Sequence, residues 1–130
     1  MAPDSMPPNT DAGRLAAVAV LSYPTVNSAA RDRALGMTAW PPARKLALAN
    51  RDVRTISRVV VHPQFRGIGL ASHLVRTICD QCPTRWVEAY AVMGRVHPFF
   101  EKGGMNRHDP PGGGDGPVYY LFDSREMRKE

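Results

Sequence analysis

The chain has 130 residues, 43% of them hydrophobic, which suits one domain with a real core and is too short for two. It carries a formal charge of +5 and only two cysteines, so a disulfide-stapled secreted scaffold is excluded. No stretch approaches the ~18–20 apolar residues of a membrane helix, and the expectation is a soluble protein in the reducing cytoplasm.

Met1 to Gly13 is polar and Pro-rich and lacks the basic-then-apolar order of a secretory signal. It reads as a disordered tail, residues 1–13, before a single domain over 14–123. The first candidate strand is Arg14 to Leu21, closed by Pro24. Asn27 to Leu35 follows as a helix, with Asn27 or Ser28 as N-cap and Gly36 as its stop. Trp40-Pro41-Pro42 is a break, and Ala43 to Asn50 is rich in helix formers.

Ile56 to Val61 contains three consecutive valines without alternation, which predicts a central strand buried on both faces. Leu70, Leu74 and Ile78 then fall at helical spacing, and that helix stops before Pro83. Trp86 to Val92 is the next strand. A strand, helix and strand joined this way imply a right-handed parallel unit. Pro98 opens a short helix through Phe99-Phe100-Glu101-Lys102, and Gly103-Gly104 ends it. Asp109 to Gly116 is a Pro/Gly loop. Val118 to Asp123 is a last strand with Val118, Tyr120 and Phe122 on one face, and 124–130 is a loose charged tail.

The chemistry concentrates in Gln64-Phe65-Arg66-Gly67-Ile68-Gly69-Leu70-Ala71-Ser72, between a strand and a helix start. The first amides of a helix lack acceptors, and glycine lets the backbone approach a phosphate. A Walker loop needs Gly-Lys-Ser/Thr, which is missing. A dinucleotide loop needs a third glycine where Ser72 stands, although Glu88 lies near the distance expected of a ribose-binding acid.

Arg66-x-x-Gly69-x-Ala71 matches the R/Q-x-x-G-x-G/A signature of the GNAT superfamily of N-acetyltransferases. The lead-in Val59-Val60-Val61-His62-Pro63 resembles that family. So does Phe99-Phe100-Glu101-Lys102-Gly103-Gly104-Met105, which is similar to its recurrent F-Y-E-K-x-G-F segment. The resemblance covers about half the chain, Ile56 to Phe122. It implies an α/β fold with a mixed, mainly antiparallel sheet flanked by helices. Its central parallel strands, Ile56–Val61 and Trp86–Val92, would splay apart to admit acetyl-CoA. Backbone groups of Val59 and Val61 would pair with the pantetheine arm. Amides of Arg66, Gly67, Ile68, Gly69, Leu70 and Ala71 would hold the pyrophosphate, helped by the Ser72 hydroxyl. The implied reaction is direct acetyl transfer from the thioester to an amine, with no metal.

The chain departs from the family in two places. The usual acid, a Tyr, is replaced by Phe100, and the Asn often found seven residues earlier is Met93. The candidate substitutes are Glu88 as base, Tyr90 as proton donor on the same strand face, and His97 beside the acid position. The front half also departs: only Asp11 to Leu21 offers a strand, and the stretch up to Arg54 does not map onto the strand and two helices that wall the acceptor site. That points to a shortened member, or to a wall supplied by another domain or subunit. A homodimer is a family-level expectation.

An alternative is a catalytically inactive module of the same fold, binding CoA or a partner. A nucleic-acid-binding domain is the third reading. It rests on fourteen Arg to three Lys and on the basic front half of Arg31, Arg33, Arg44, Lys45, Arg51, Arg54 and Arg58. Aromatic residues are not interleaved with these in the way a single-strand platform requires, and no helix-turn-helix or zinc-finger spacing appears. Cys79-Asp80-Gln81-Cys82 lies at a helix end, where the dipole disfavours a thiolate, so it reads as structural. His62 reads as a structural turn residue.

Overall fold

The computed structural model describes residues 15–91, 98–113 and 117–127. Its strands are β1 (Ala17–Ser22), β2 (Val53–Val61), β3 (Trp86–Ala91), β4 (Asn106–His108) and β5 (Val118–Asp123). Its helices are α1 (Ala29–Leu35), α2 (Pro42–Asp52), α3 (Leu70–Gln81), α4 (Pro98–Lys102) and α5 (Ser124–Met127). The strands form one sheet in the order β1-β2-β3-β5-β4. Only β2 and β3 run parallel; the other three pairings are antiparallel.

The front half is a correction to the sequence expectation. It folds as a strand and two helices, the set thought to be missing. Ser28 caps α1, its hydroxyl accepting from the Arg31 amide at 3.1 Å, and Gly36 ends the helix as the sequence predicts. Pro42 starts α2, where a missing N–H costs nothing. Lys45 pairs with Asp32 at 2.9 Å and joins the two helices.

Strand β3 carries the core on both faces. Val87, Ala89 and Ala91 meet Val75 and Cys79 of α3, with Phe100, Met105 and the Val118, Tyr120, Phe122 face of β5. Trp86 joins Val53, Tyr119 and Leu121 beneath Ala30, Ala34 and Leu48 of α1 and α2. The result is a helix–sheet–helix sandwich.

Strand β2 is a second correction. Its buried part is Val53, Thr55 and Ile56; from Ser57 to Val61 it is exposed or half-buried. The valine run is therefore no doubly covered strand. Pairing with β3 stops after Val53↔Trp86, Arg54↔Val87 and Thr55↔Glu88. Immediately beyond, Val20 pairs with Arg58 but Leu21 with Ile56, which leaves Ser57 as a bulge. A bulge bends its strand and shifts the side-chain alternation by one. Ile56 and Val59, three apart, accordingly both pack towards α3. The bend carries the outer half of β2 away from β3 and opens a fork.

The loose tail is also revised, since Ser124–Met127 form a short helix. Ser124 N–H donates to Arg85 O at 2.9 Å, and Asp123 accepts from the Arg125 amide at 3.0 Å. Strand β4 is too short and polar to announce itself in the sequence. Val92, Met93 and His97 lie outside the described residues, as do 1–14, 114–116 and 128–130. No helix among the described residues is long and apolar enough to cross a membrane.

Candidate active site

The fork leads into a cleft of about 740 Å³, within the size range of small-molecule sites. One wall is Val59, Val60 and Val61 of β2. The floor is Phe65, Arg66, Gly67 and Gly69 with Leu70, Ala71 and Ser72 of the first turn of α3. Phe99 and Lys102 of α4 form the facing wall.

The open edge of β2 presents defined backbone groups. His62 N–H donates to Ala16 O beside β1 at 2.7 Å. Backbone polar groups alternate sides along a strand, so Val60 also faces β1 while Val59 and Val61 face the fork. The Val61 carbonyl accepts from Arg66 Nε at 3.4 Å.

The loop is shaped by its ends. Pro63–Phe65 make one 3-10 turn, and His62 Nδ1 accepts from the Gln64 amide at 3.1 Å. Gly67 and Gly69 then adopt φ of +87° and +79°, a region that strains any residue with a Cβ. Gly69 is the N-cap of α3 and brings no side chain to satisfy the helix. The first helical bond is His73 N–H to Gly69 O at 3.1 Å. The amides of Leu70, Ala71 and Ser72 therefore have no intrahelical acceptor and point out of the helix end into the cleft. The Ser72 hydroxyl donates to Gly69 O at 3.0 Å and must turn away from it to serve a ligand.

These features fit an extended ligand with a strand-like amide arm and a phosphate end. An arm of that kind would meet a strand edge with no partner among the described residues. A phosphate end would meet the positive end of a helix dipole, the Leu70, Ala71 and Ser72 amides and Arg66. Matching the chain to protein-family models gives one family, described as the acetyltransferase (GNAT) family, over residues 12–105.

The chain belongs to the GNAT acetyltransferase family.

The match begins at residue 12 and so includes the front half that the sequence reading could not map. No curated protein and no solved structure matches the chain. Within this GNAT fold, Val59, Val61, Arg66, Gly67, Gly69, Leu70, Ala71 and Ser72 all line the cleft. Ile68, named for its backbone amide, is 69% exposed and is not part of that lining. Val60, Phe65, Phe99 and Lys102 were missed as cleft residues. Phe99 and Lys102 stand inside the Phe-Phe-Glu-Lys segment, so a signal was present.

Of the three candidate catalytic residues, Glu88 and Tyr90 share one sheet face outside the cleft lining, and His97 lies outside the described residues. Glu88 is 0% exposed, on the sheet face that carries α1 and α2. Its Oε1 accepts from Arg31 Nε at 2.9 Å and from the Tyr119 hydroxyl at 2.8 Å. Its Oε2 accepts from Arg31 NH2 at 2.9 Å and from Thr55 Oγ1 at 2.7 Å. This carboxylate ties α1, β2, β3 and β5 together at the last rung before the fork. Burial opposes the charge on Arg31, but the hydrogen bond and charge of Glu88 outweigh it and hold the guanidinium more firmly protonated than usual. Burial, followed by the charge of Glu88, raises the Tyr119 hydroxyl far above the tyrosine range.

Tyr90 is half-buried on that same face, with its hydroxyl 2.7 Å from Ser28 Oγ at the start of α1. Burial raises its pKa, partly offset by Ser28. Neither Glu88 nor Tyr90 is among the described cleft-lining residues, and His97 lies outside the described set. Phe100, at the usual acid position, is a core residue with its ring 5.0 Å from that of Tyr120.

Five of the seven front-half basic residues have local partners. Arg31 is buried against Glu88, Lys45 meets Asp32, and Arg51 meets Asp52 at 3.0 Å. Arg44 and Arg54 lie over the rings of Trp40 and Tyr23 at 3.9 and 4.2 Å.

Proposed function

We propose that the chain is an acyl-CoA-dependent N-acyltransferase that moves an acetyl group from acetyl-CoA to an amine by direct attack. The observation that carries this reading is the alignment of three elements along one cleft: the fork, the unpaired edge of β2 and the uncapped start of α3. The Leu70, Ala71 and Ser72 amides and Arg66 hold the pyrophosphate. Val59 and Val61 align the pantetheine arm and thereby bring the thioester to the fork. An amine arriving from the α1 and α2 side then attacks the carbonyl carbon. A C–N bond forms, the C–S bond breaks, the amine loses a proton and the departing thiolate gains one.

Residue roles in the proton steps follow from placement. Phe100 has no proton to give. Glu88, with four donors on its two oxygens, acts as a positioning group that sets the fork and the α1 wall. Tyr90, kept protonated at neutral pH and located on the acceptor side, is the described candidate for donating to the thiolate; His97 remains its rival.

The test is calorimetric titration with acetyl-CoA, with CoA and NAD as controls, followed by thiol release with a panel of amines. Micromolar acetyl-CoA binding without NAD binding supports the reading. Gly69→Glu should remove that binding, through a strained φ, added bulk and negative charge at the phosphate end. Unchanged affinity in this variant defeats the site assignment. The core position of Phe100 favours a second reading, an inactive CoA-binding module. Binding without thiol release from any amine would select it.

A further inference from the structure

The cleft has a cation outside its loop. Lys102 closes α4, and its side chain lines the cleft beside Phe99. Its position is fixed by the next residue. A Cβ on Gly103 would stand 3.1 Å from Ser72 O and 2.5 Å from Val75 Cγ1, so the end of α4 lies directly against the first turns of α3. Lys102 is thereby held next to the helix start that offers the free amides. Among the described residues, no carboxylate comes within ion-pairing distance of its ammonium group. Arg66 stands in the floor of the same cleft. Two cations thus line the cleft into which the start of α3 opens, a combination that favours an anionic ligand.

We propose that Lys102 is the second cation of the phosphate site, its ammonium donating to a phosphate oxygen of the bound coenzyme. This rests on the acyl-CoA reading and adds a residue to it. CoA offers two sources of that chemistry, the diphosphate and the 3′-phosphate of the ribose.

The experiment compares the full chain with Lys102→Gln and Lys102→Arg by calorimetry, using CoA and 3′-dephospho-CoA at low and high salt. Lys102 is exposed and outside the core, and a thermal melt checks that the variants fold. The expected result is a loss of about five- to tenfold in CoA affinity for Lys102→Gln at low salt, the size of one charge-assisted hydrogen bond at a half-open site. The loss should shrink at high salt, and Lys102→Arg should retain most of the affinity. A loss confined to CoA assigns the contact to the 3′-phosphate; an equal loss for both ligands assigns it to the diphosphate. Unchanged affinity for both ligands in Lys102→Gln overturns the inference while leaving the acyl-CoA reading intact. Wild-type protein that binds neither ligand overturns that reading, and this inference with it.

Discussion

Replacing Gly103 by alanine should drive a wedge between α4 and α3. The new Cβ would lie 2.5 Å from Val75 Cγ1 and 2.8 Å from Val75 Cβ. Carbon atoms at rest sit about 3.5–4.0 Å apart, so the shortfall is roughly 1 Å. Rotation about χ1 of Val75 can move its Cγ1 but not its Cβ, which is fixed to the α3 backbone. The end of α4 must therefore withdraw, and Val75 is a fully buried member of the core. Overpacking of this kind costs about 1–3 kcal/mol. Against it, alanine narrows the unfolded ensemble, worth about 0.4–1 kcal/mol where φ is ordinary, as at Gly103. The net expectation is a loss of about 1–2 kcal/mol, or a midpoint lower by roughly 3–10 °C for a domain of this size.

Thermal and urea unfolding followed by circular dichroism measure it. Two comparisons sharpen the test. Gly104→Ala, at φ +105° with open space around it, should cost about 1 kcal/mol of backbone strain and no repacking. In a Val75→Ala background, Gly103→Ala should cost less than in the wild type, because the Cγ1 clash is gone. Since α4 also carries Phe99 and Lys102, acetyl-CoA affinity should fall in parallel. A Gly103→Ala protein as stable as the wild type would refute the reasoning.

Three further predictions follow from the buried and paired groups. Glu88→Ala and Arg31→Met should each cost about 3–5 kcal/mol in urea unfolding, because either leaves its partner charged and buried; a near-neutral single variant would contradict the clamp. Burial pushes the Cys79 thiol up to about 12, whereas Cys82 is partly exposed, so a disulfide reagent at pH 8 should titrate one thiol quickly and the second only on unfolding. Burial opposes the charge on Asp123, yet hydrogen bonds from Arg85 at 3.2 and 3.3 Å and from the Arg125 amide hold its pKa below the usual carboxylate value. A lowered folded-state pKa stabilises above the unfolded value of about 3.9 and is lost as pH falls through the folded one. Asp123→Asn should therefore lower the melting temperature at neutral pH and flatten its decline in acid; superimposable acid limbs would count against the pairing.

Local chemistry made much of the site legible. Arg66, Gly67 and Gly69 announce a tight loop before a helix start wherever they occur, because positive φ and free amides are properties of neighbouring residues. Ser28 and Gly36 bracket α1 for the same reason. The valine run misled because β-branching reports fitness for a strand, not what covers it. Strand β4 escaped because its residues fit a strand only when β5 supplies the partner.

The sequence by itself determined most of the elements, the glycine-bearing loop before α3 and the absence of a tyrosine at position 100, since each is written in adjacent residues. Only the tertiary structure decided that Glu88 is a clamp, that Lys102 shares the cleft with Arg66 and that Gly103 must stay small. Arg31 and Glu88 are 57 positions apart, and Gly103 meets Val75 across two separate helices. Such contacts depend on how the bulge at Ser57 bends one strand and how α4 settles on α3. They are set by packing geometry, which no local pattern of residue types encodes.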